Sequence, residues 1–378
     1  MEDRKSLAPT AAAEHGTALA AIELSGRKWV IAVQRPGAAR PSLYERPAGD
    51  LAWLLELIGE LRAAGLGVVF CYEAGRDGFW LQRALSAAGA ACHIIDPASL
   101  PIDRRRKRAK TDRLDVFALL RALSGWLSGD RLACRVVRVP TPAAEDARRL
   151  YRERQRLMNE RTQHENRVAG LLALHGIAGF RASAADRWAR LAALRDPQGA
   201  AVPRQLGAEI ERELRRLELV LEQLAEVEAA RDAVVKRPAP DDPVAGKIAQ
   251  LVRLKAIGAE LATALGREVY WRSFDNGRQV GSYVGLPPCP WRSGGMTGEQ
   301  GISKAGNPRA RKSAIELAWL WLRHQPQSAL AQWFQRRLGG AKGRLKRILV
   351  VALARKLVVA LWRYLETGQL PSGALLKA

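Results

Sequence analysis

Four acidic side chains in the first third of the chain have the residue types and positions needed for a metal-dependent site: Glu23, Glu73, Asp112 and Asp115. The chain is strongly basic, with 61 Lys and Arg against 38 Asp and Glu in 378 residues and a net charge of +23. Carboxylate oxygens are the ligands that Mg²⁺ prefers, and bound Mg²⁺ binds phosphate. Lys and Arg neutralise a polyanion. The combination predicts Mg²⁺-dependent chemistry on nucleic acid, with a set of solvated surface charges as the alternative.

The hydrophobic pattern predicts a mixed sheet that positions these acids. Strands are expected at 18–24, 29–34, 42–46, 67–72 and 92–95, and helices at 51–61, 77–88 and around Asp112. This β-β-β-α-β-α-β-α order matches the ribonuclease H topology. Glu23 then lies on the first strand and Glu73 at the carboxyl end of the fourth, where ligands gather in open α/β sheets. Asp112 and Asp115, three residues apart on a helix, share one face.

Two basic stretches are candidates for phosphate contacts. The first directly precedes the acidic pair and comprises Arg104, Arg105, Arg106, Lys107, Arg108 and Lys110. The second precedes a helix near the C-terminus and comprises Lys304, Arg309, Arg311 and Lys312. We predict that both bind nucleic acid.

The middle of the chain reads as a helical arm. After a boundary at Pro140-Thr141-Pro142, long helices are expected at about 145–175 and 205–235. Leucines and an isoleucine in the second helix alternate at spacings of four and three, as in a coiled-coil seam. The pattern predicts an antiparallel hairpin or a dimerising arm. The expected domains are a tail (1–17), an α/β domain (18–138), a helical coiled-coil domain (139–237), a mainly helical domain (247–366) and a second tail (367–378).

Composition excludes several other classes of protein. The four cysteines lack zinc-site spacing, which predicts a reduced, cytoplasmic protein. No apolar run is long enough for a membrane span, and no signal peptide is recognisable. We therefore expect a cytoplasmic protein, associated with the nucleoid when it binds DNA.

Ser293 is a candidate nucleophile because Gly294 and Gly295 follow it. Glycines let a backbone approach a phosphate closely. A serine hydroxyl still needs a base, a metal ion or a neighbouring cation to activate it. On chemistry alone, Thr297 and Ser303 of the same loop are equal candidates.

Five short motifs together resemble one protein family. They are Cys71-Tyr72-Glu73-Ala74-Gly75, Lys110-Thr111-Asp112-Arg113-Leu114-Asp115, Tyr283-Val284-Gly285-Leu286, Ser293-Gly294-Gly295 and Gly301-Ile302-Ser303-Lys304-Ala305-Gly306-Asn307. In this order they resemble the DEDD-type insertion-sequence transposases, a group that includes the pilin-gene-inverting recombinase. The resemblance spans about residues 18–366.

The resemblance implies a RuvC-like domain in which Glu23, Glu73, Asp112 and Asp115 bind Mg²⁺. It also implies a C-terminal transposase domain in which Ser293 forms a phosphoserine link to cleaved DNA. A structured guide RNA would pair with donor and target DNA, and a tetramer would assemble each site from two subunits. Glu23 stands where the family pattern has Asp, and its longer side chain alters the geometry available to Mg²⁺.

Two other functions remain open from the residues. A RuvC-like DNA endonuclease would use the four acids and water, without Ser293. A non-catalytic nucleic-acid-binding protein would have lost its metal site through the change at Glu23.

Overall fold

The computed structural model describes residues 16–100, 112–293 and 296–377, and for residues 291–293 and 296–300 it describes the backbone alone. The chain divides into two compact units, Met1–Pro140 and Thr141–Ala378. The helical arm and the C-terminal helices, which the sequence suggested as separate domains, both belong to the second unit.

A five-stranded mixed sheet forms the first unit. Its strands are β1 (Thr17–Leu24), β2 (Lys28–Gln34), β3 (Ser42–Pro47), β4 (Gly67–Glu73) and β5 (Ala91–Ile95). The strand order is β3-β2-β1-β4-β5, with antiparallel pairing among β1, β2 and β3 and parallel pairing of β4 with β1 and β5. The predicted mixed α/β fold is confirmed for this unit.

Helices cover both faces of the sheet. Helices α1 (Leu51–Ala63) and α2 (Trp80–Ala87) pack on the face to which Ile22 and Tyr72 point. Helix α3 (Asp112–Leu127) packs on the opposite face. Helix α2 begins at Trp80 instead of at residue 77 as predicted, because the chain first turns through Gly78, whose φ of 65° does not fit a right-handed helix.

Two long antiparallel helices begin the second unit. Its first elements are α4 (Pro142–Asp146), α5 (Arg149–Ala173), α6 (Arg187–Ala192) and α7 (Arg204–Lys236). Arg154 pairs with Glu228 (Nε to Oε1, 2.6 Å) and His164 with Glu213 (Nδ1 to Oε2, 2.7 Å), so α5 and α7 run in opposite directions.

The seam of this hairpin is filled within one chain. The side chains of Ile210, Leu214 and Leu217 are fully buried in a cluster that includes Val168 and Leu172 of α5. The antiparallel hairpin is therefore the alternative that the structure adopts. The seam side chains, which the sequence also offered as a contact between subunits, are covered by the chain itself.

The C-terminal helices form a single core. They are α8 (Ala245–Val252), α9 (Ala259–Glu268), α10 (Gly277–Tyr283), α11 (Pro308–His324), α12 (Ala329–Leu338) and α13 (Arg344–Thr367). Helix α13 supplies fully buried Leu353, Leu357 and Leu361. The segment after α13, predicted as a tail, packs here too, since Lys377 donates from Nζ to the Ile257 carbonyl (2.7 Å). Across the described residues, no helix has the length and apolarity to cross a membrane.

A β-hairpin interrupts these helices where the sequence predicted only a loop. Strands β6 (Pro288–Ser293) and β7 (Met296–Ile302) pair antiparallel with each other, with an irregularity at Pro288 and Pro290. The prediction was wrong because prolines and glycines are depleted in strands and hide the alternating pattern. A two-stranded ribbon outside the main sheet accommodates them.

We predict that Leu217→Ala lowers the free energy of unfolding by about 2–5 kcal/mol, because it leaves a cavity in the seam. Leu219→Ala is the matched control, since Leu219 lies on the same helix with 55% of its surface exposed. The control should change stability by less than about 0.5 kcal/mol. Chemical denaturation at two protein concentrations measures both variants. A loss for Leu217→Ala that varies with protein concentration would instead place this seam between chains.

Candidate functional site

Glu23 and Glu73 lie side by side at the ends of two central strands. In the parallel register of β1 and β4, Ile22 is opposite Tyr72, and each glutamate is the next residue on its strand. Neighbouring strands are about 4.8 Å apart. Glu23 is half-buried and Glu73 is exposed. Both line one cleft of about 390 Å³, so the structure brings these two predicted site residues together.

Alternation along the strands directs both glutamates to the face that α3 covers. Ala21 and Cys71, two residues before Glu23 and Glu73, are fully buried in the cluster beneath α3. Successive side chains of a strand point to opposite faces, so residues two apart share a face. The Cys71 thiol donates to the Leu119 carbonyl of α3 (3.7 Å), which confirms the contact. Burial raises the pKa of this thiol well above its ordinary value, so Cys71 is not a thiolate ligand.

Asp112 and Asp115 extend the packing face of α3 to its first turn. Val116 and Leu119 are buried against the sheet, and they follow Asp112 at spacings of four and seven residues. Residues at these spacings lie on one side of a helix. Asp115 is half-buried and Asp112 exposed. The N-terminal end of a helix stabilises negative charge, which suits two aspartates in the first turn.

The four carboxylates do not form a closed metal centre. Among the described residues, no group of three or more His, Cys, Asp or Glu side chains is arranged to hold a metal ion. The two glutamates are adjacent, and the two aspartates lie on the helix that covers the same face. The chemistry of the set nevertheless fits Mg²⁺, because all four candidate ligands are hard carboxylate oxygens.

Two residues that sequence reasoning missed line the same cleft. Arg76 and Asp77 follow Glu73 in the turn after β4. The Arg76 guanidinium lies against Gly26 of the β1–β2 turn, where a Cβ would come within 2.5 Å of Nη2. A cation beside the two glutamates suits a phosphate substrate. The available sequence signal was their position directly after a buried parallel strand.

Ser293 lies at the tip of the β6–β7 hairpin. Ser293 and Met296 are the last paired residues of the two strands. Thr297 pairs with Arg292, and Ser303 lies at the hairpin's base, where its N–H donates to the Pro287 carbonyl (2.9 Å). Of the three candidate hydroxyl residues, Ser293 is therefore the one at the end furthest from the base.

Two glycines allow the base of the hairpin to close. Gly285 and Gly306 have φ values of 66° and 85°, and a Cβ at either would collide with a backbone carbonyl. The Asn307 N–H donates to the Tyr283 carbonyl (2.9 Å), and the Lys304 N–H donates to Gly285 (3.2 Å). Only glycine fits such close approaches in the left-handed region. These contacts hold the chain on either side of the hairpin together.

A buried carboxylate anchors this base to two helices. Glu268 of α9 is 1% exposed and accepts from Asn307 Nδ2 (2.8 Å). Arg152 of α5 donates to the same carboxylate (Nε to Oε1, 2.8 Å). Burial alone would raise the pKa of Glu268, but Arg152 and Asn307 outweigh it and hold the pKa below its ordinary value. The Glu268 carboxylate is therefore charged, and both of its oxygens accept hydrogen bonds within the fold.

The predicted nucleic-acid-binding cations differ in their surroundings. Lys304, Arg309 and Lys312 are exposed. Arg311 is half-buried and donates from Nη1 to the Lys304 carbonyl (2.9 Å), so its guanidinium contributes to the fold. The first basic stretch (Arg104, Arg105, Arg106, Lys107, Arg108 and Lys110) lies outside the described residues.

Comparisons with known proteins match both units. A model described as "Transposase IS116/IS110/IS902 family" matches residues 249–332, and a model of DEDD transposases of the IS110 type matches residues 38–177. "Putative transposase y4rJ" of Sinorhizobium fredii is 44% identical over 98% of this chain and 97% of its own length. "Transposase for insertion sequence element IS1328" of Yersinia enterocolitica is 27% identical over 78% of this chain and 82% of its own.

We expect Asn307→Ala to lower the free energy of unfolding by about 2–4 kcal/mol, because it removes a helix cap and a bond to a buried charge. Asn276→Ala is a matched control. Asn276 caps α10 as Asn307 caps α11, through backbone N–H donors, and it has no such bond to Glu268. The control should cost about 1 kcal/mol. Equal losses in urea denaturation would show that only the caps matter.

The lowered pKa of Glu268 predicts a specific pH dependence. The ion pair stabilises the fold at pH values above the ordinary glutamate pKa of 4.5, and this contribution is lost as pH falls through the lower folded-state pKa. The stability difference between wild type and Glu268→Gln should therefore be constant near neutral pH and shrink in acid. A difference that grows on acidification would contradict the charged assignment.

Proposed function

The chain belongs to the IS110 family of DEDD transposases, and on that premise we propose that it cleaves and rejoins DNA through a covalent bond to Ser293. As a DNA transposase of an insertion element it acts on phosphodiesters. The observation that carries the proposal is the position of Ser293 at the tip of a hairpin whose base is fixed by Glu268 and Asn307. A hydroxyl at the tip of a hairpin can enter a DNA groove while the base of the hairpin stays rigid.

In the proposed reaction, the Ser293 Oγ attacks a phosphorus of DNA and loses its proton. One P–O bond to the deoxyribose breaks, and the departing sugar oxygen takes up a proton. The serine–phosphate ester conserves the bond energy. A hydroxyl of another strand then attacks the same phosphorus and releases Ser293, so no nucleotide cofactor is consumed.

The carboxylates of the first unit would support this chemistry by holding Mg²⁺. Glu23, Glu73, Asp112 and Asp115 would supply the ligands, and Mg²⁺ when bound neutralises charge that develops on the phosphate oxygens. Arg76 lies in the same cleft and would orient the phosphate. The parallel register of β1 and β4 supports the first two assignments.

We further propose that a structured RNA guides the protein to donor and target DNA and that a tetramer assembles the active sites. The support is the resemblance of the five motifs and a net charge of +23, which is enough to bind more than one polyanion. Because the α5–α7 seam is filled within the chain, other surfaces would form the assembly.

Hydrolysis by the first unit alone is the second candidate. The cleft holds Asp77 beside Glu23 and Glu73, so a metal-activated water could be generated without Ser293. This alternative predicts cut DNA without any protein–DNA adduct.

A covalent trap separates the two functions. Wild type with Mg²⁺, its flanking RNA and labelled donor DNA should give a protein–DNA band on a denaturing gel, and Ser293→Ala should lose it. Ser303→Ala, an exposed serine of the same module, is the control that should keep the band. If all three proteins cleave DNA without forming an adduct, the reaction is hydrolysis and the proposed serine chemistry is wrong.

Asp112→Ala and Asp115→Ala should abolish cleavage, because each removes one proposed Mg²⁺ ligand. Both variants should bind RNA with unchanged affinity, since that affinity depends on Lys and Arg. Gel-shift and cleavage assays on the same preparations test this division. A matching loss of RNA binding would contradict it.

A further inference from the structure

An exposed tryptophan lies among cations in the last third of the chain. Trp319 of α11 is 43% exposed, whereas Trp321, two residues later, is fully buried in the core. The Nζ of Lys346, at the start of α13, lies 5.5 Å from the centroid of the Trp319 ring. The first turns of α13 therefore lie beside the exposed indole.

Basic side chains lie beside this indole. Lys312 and Arg323 are exposed on α11 at spacings of seven and four residues from Trp319, which places all three on one side of that helix. Glu316, which is also exposed, lies on the same side and leaves it with a net positive charge. We call this set the Trp319 surface, and its members are Trp319, Lys312, Glu316, Arg323 and Lys346.

Basic residues greatly outnumber acidic ones in this part of the chain. Residues 304–363 contain fourteen Lys and Arg and a single acid, Glu316, which accounts for more than half of the net charge of +23. Elsewhere in the chain, Arg154, Arg161 and Arg167 of helix α5 each form an ion pair. By contrast, Lys312, Arg323, Lys346 and Arg347 form no ion pair with any described residue. A polyanion is the complementary partner.

We propose that the Trp319 surface is a base-stacking site for an unpaired strand of DNA. Duplex DNA presents phosphates but hides the faces of its bases, so charge alone would suffice to bind it. An exposed indole with adjacent cations fits unstacked bases and their phosphates. The cation–π contact with Lys346 fixes the indole and places a charge near the phosphate of a stacked base.

A second copy of this chain is a poor occupant because two such cationic surfaces repel. The inference rests on the proposed function only in taking DNA, the substrate of a transposase, as the partner. Strand cleavage and exchange expose unpaired strands of DNA.

Binding in EDTA tests the inference on the full chain. Fluorescence anisotropy would measure the affinity for a labelled mixed-sequence single strand of about 20 nucleotides and for the matching duplex. Trp319→Ala should weaken single-strand binding about tenfold, the loss of one base stack, and change duplex binding less than about twofold. Trp319→Phe should retain most of the affinity because it keeps an aromatic face.

Trp80→Ala is the matched control. Trp80 is 42% exposed and lies in the first unit, with its ring centroid 6.1 Å from that of Trp29. It should bind both DNAs as wild type does, and thermal melts would verify that each variant is folded. Unchanged single-strand binding by folded Trp319→Ala would overturn the proposal, as would equal losses on single strand and duplex.

An RNA strand of the same sequence completes the test. A loss confined to RNA would overturn the assignment to DNA. Binding in EDTA requires neither Ser293 nor bound Mg²⁺. A negative binding result would therefore not contradict the serine chemistry, and the absence of a covalent adduct would not contradict base stacking at Trp319.

Discussion

The parallel pairing of β1 with β4 is the constraint on which the carboxylate cleft depends. It places Ile22 opposite Tyr72, and therefore Glu23 beside Glu73. A slip of one residue would turn one glutamate to the opposite face, beneath α1 and α2. The register is secured because both strands are buried on both faces, with small Ala21 and Cys71 side chains beneath α3. Those small side chains let the helix that carries Asp112 and Asp115 approach the sheet.

A different constraint governs the second unit. Glu268 is a buried charge, and a buried charge is costly unless cations and hydrogen bonds compensate for it. Arg152 and Asn307 supply that compensation, and in doing so they tie the base of the serine hairpin to α5 and α9. The fold thereby fixes the base of the hairpin. Under the proposed function, this rigid base would help to position the Ser293 hydroxyl.

Local patterns in the sequence were sufficient to predict much of this architecture. The strands of the sheet are apolar runs bounded by turn residues, so their order and the place of Glu23 and Glu73 could be predicted. The hairpin of Ser293 could not, because its prolines and glycines obscure strand character. The contact between Glu268 and Arg152 could not be predicted either, because these residues lie more than a hundred positions apart in the sequence. Sequence also did not reveal that Arg311, which we predicted to bind nucleic acid, donates from Nη1 to the Lys304 carbonyl.

The most direct test is to locate the nucleotide on the protein. Trypsin should release residues 293–304 as one peptide, since it cleaves after Arg292 and after Lys304, and this peptide contains Ser293, Thr297 and Ser303. After reaction with donor DNA and nuclease digestion, fragment-ion mass spectrometry would identify the modified hydroxyl. The account predicts a nucleotide on Ser293. A nucleotide on Thr297 or Ser303, or cleaved DNA with an unmodified peptide, would contradict it.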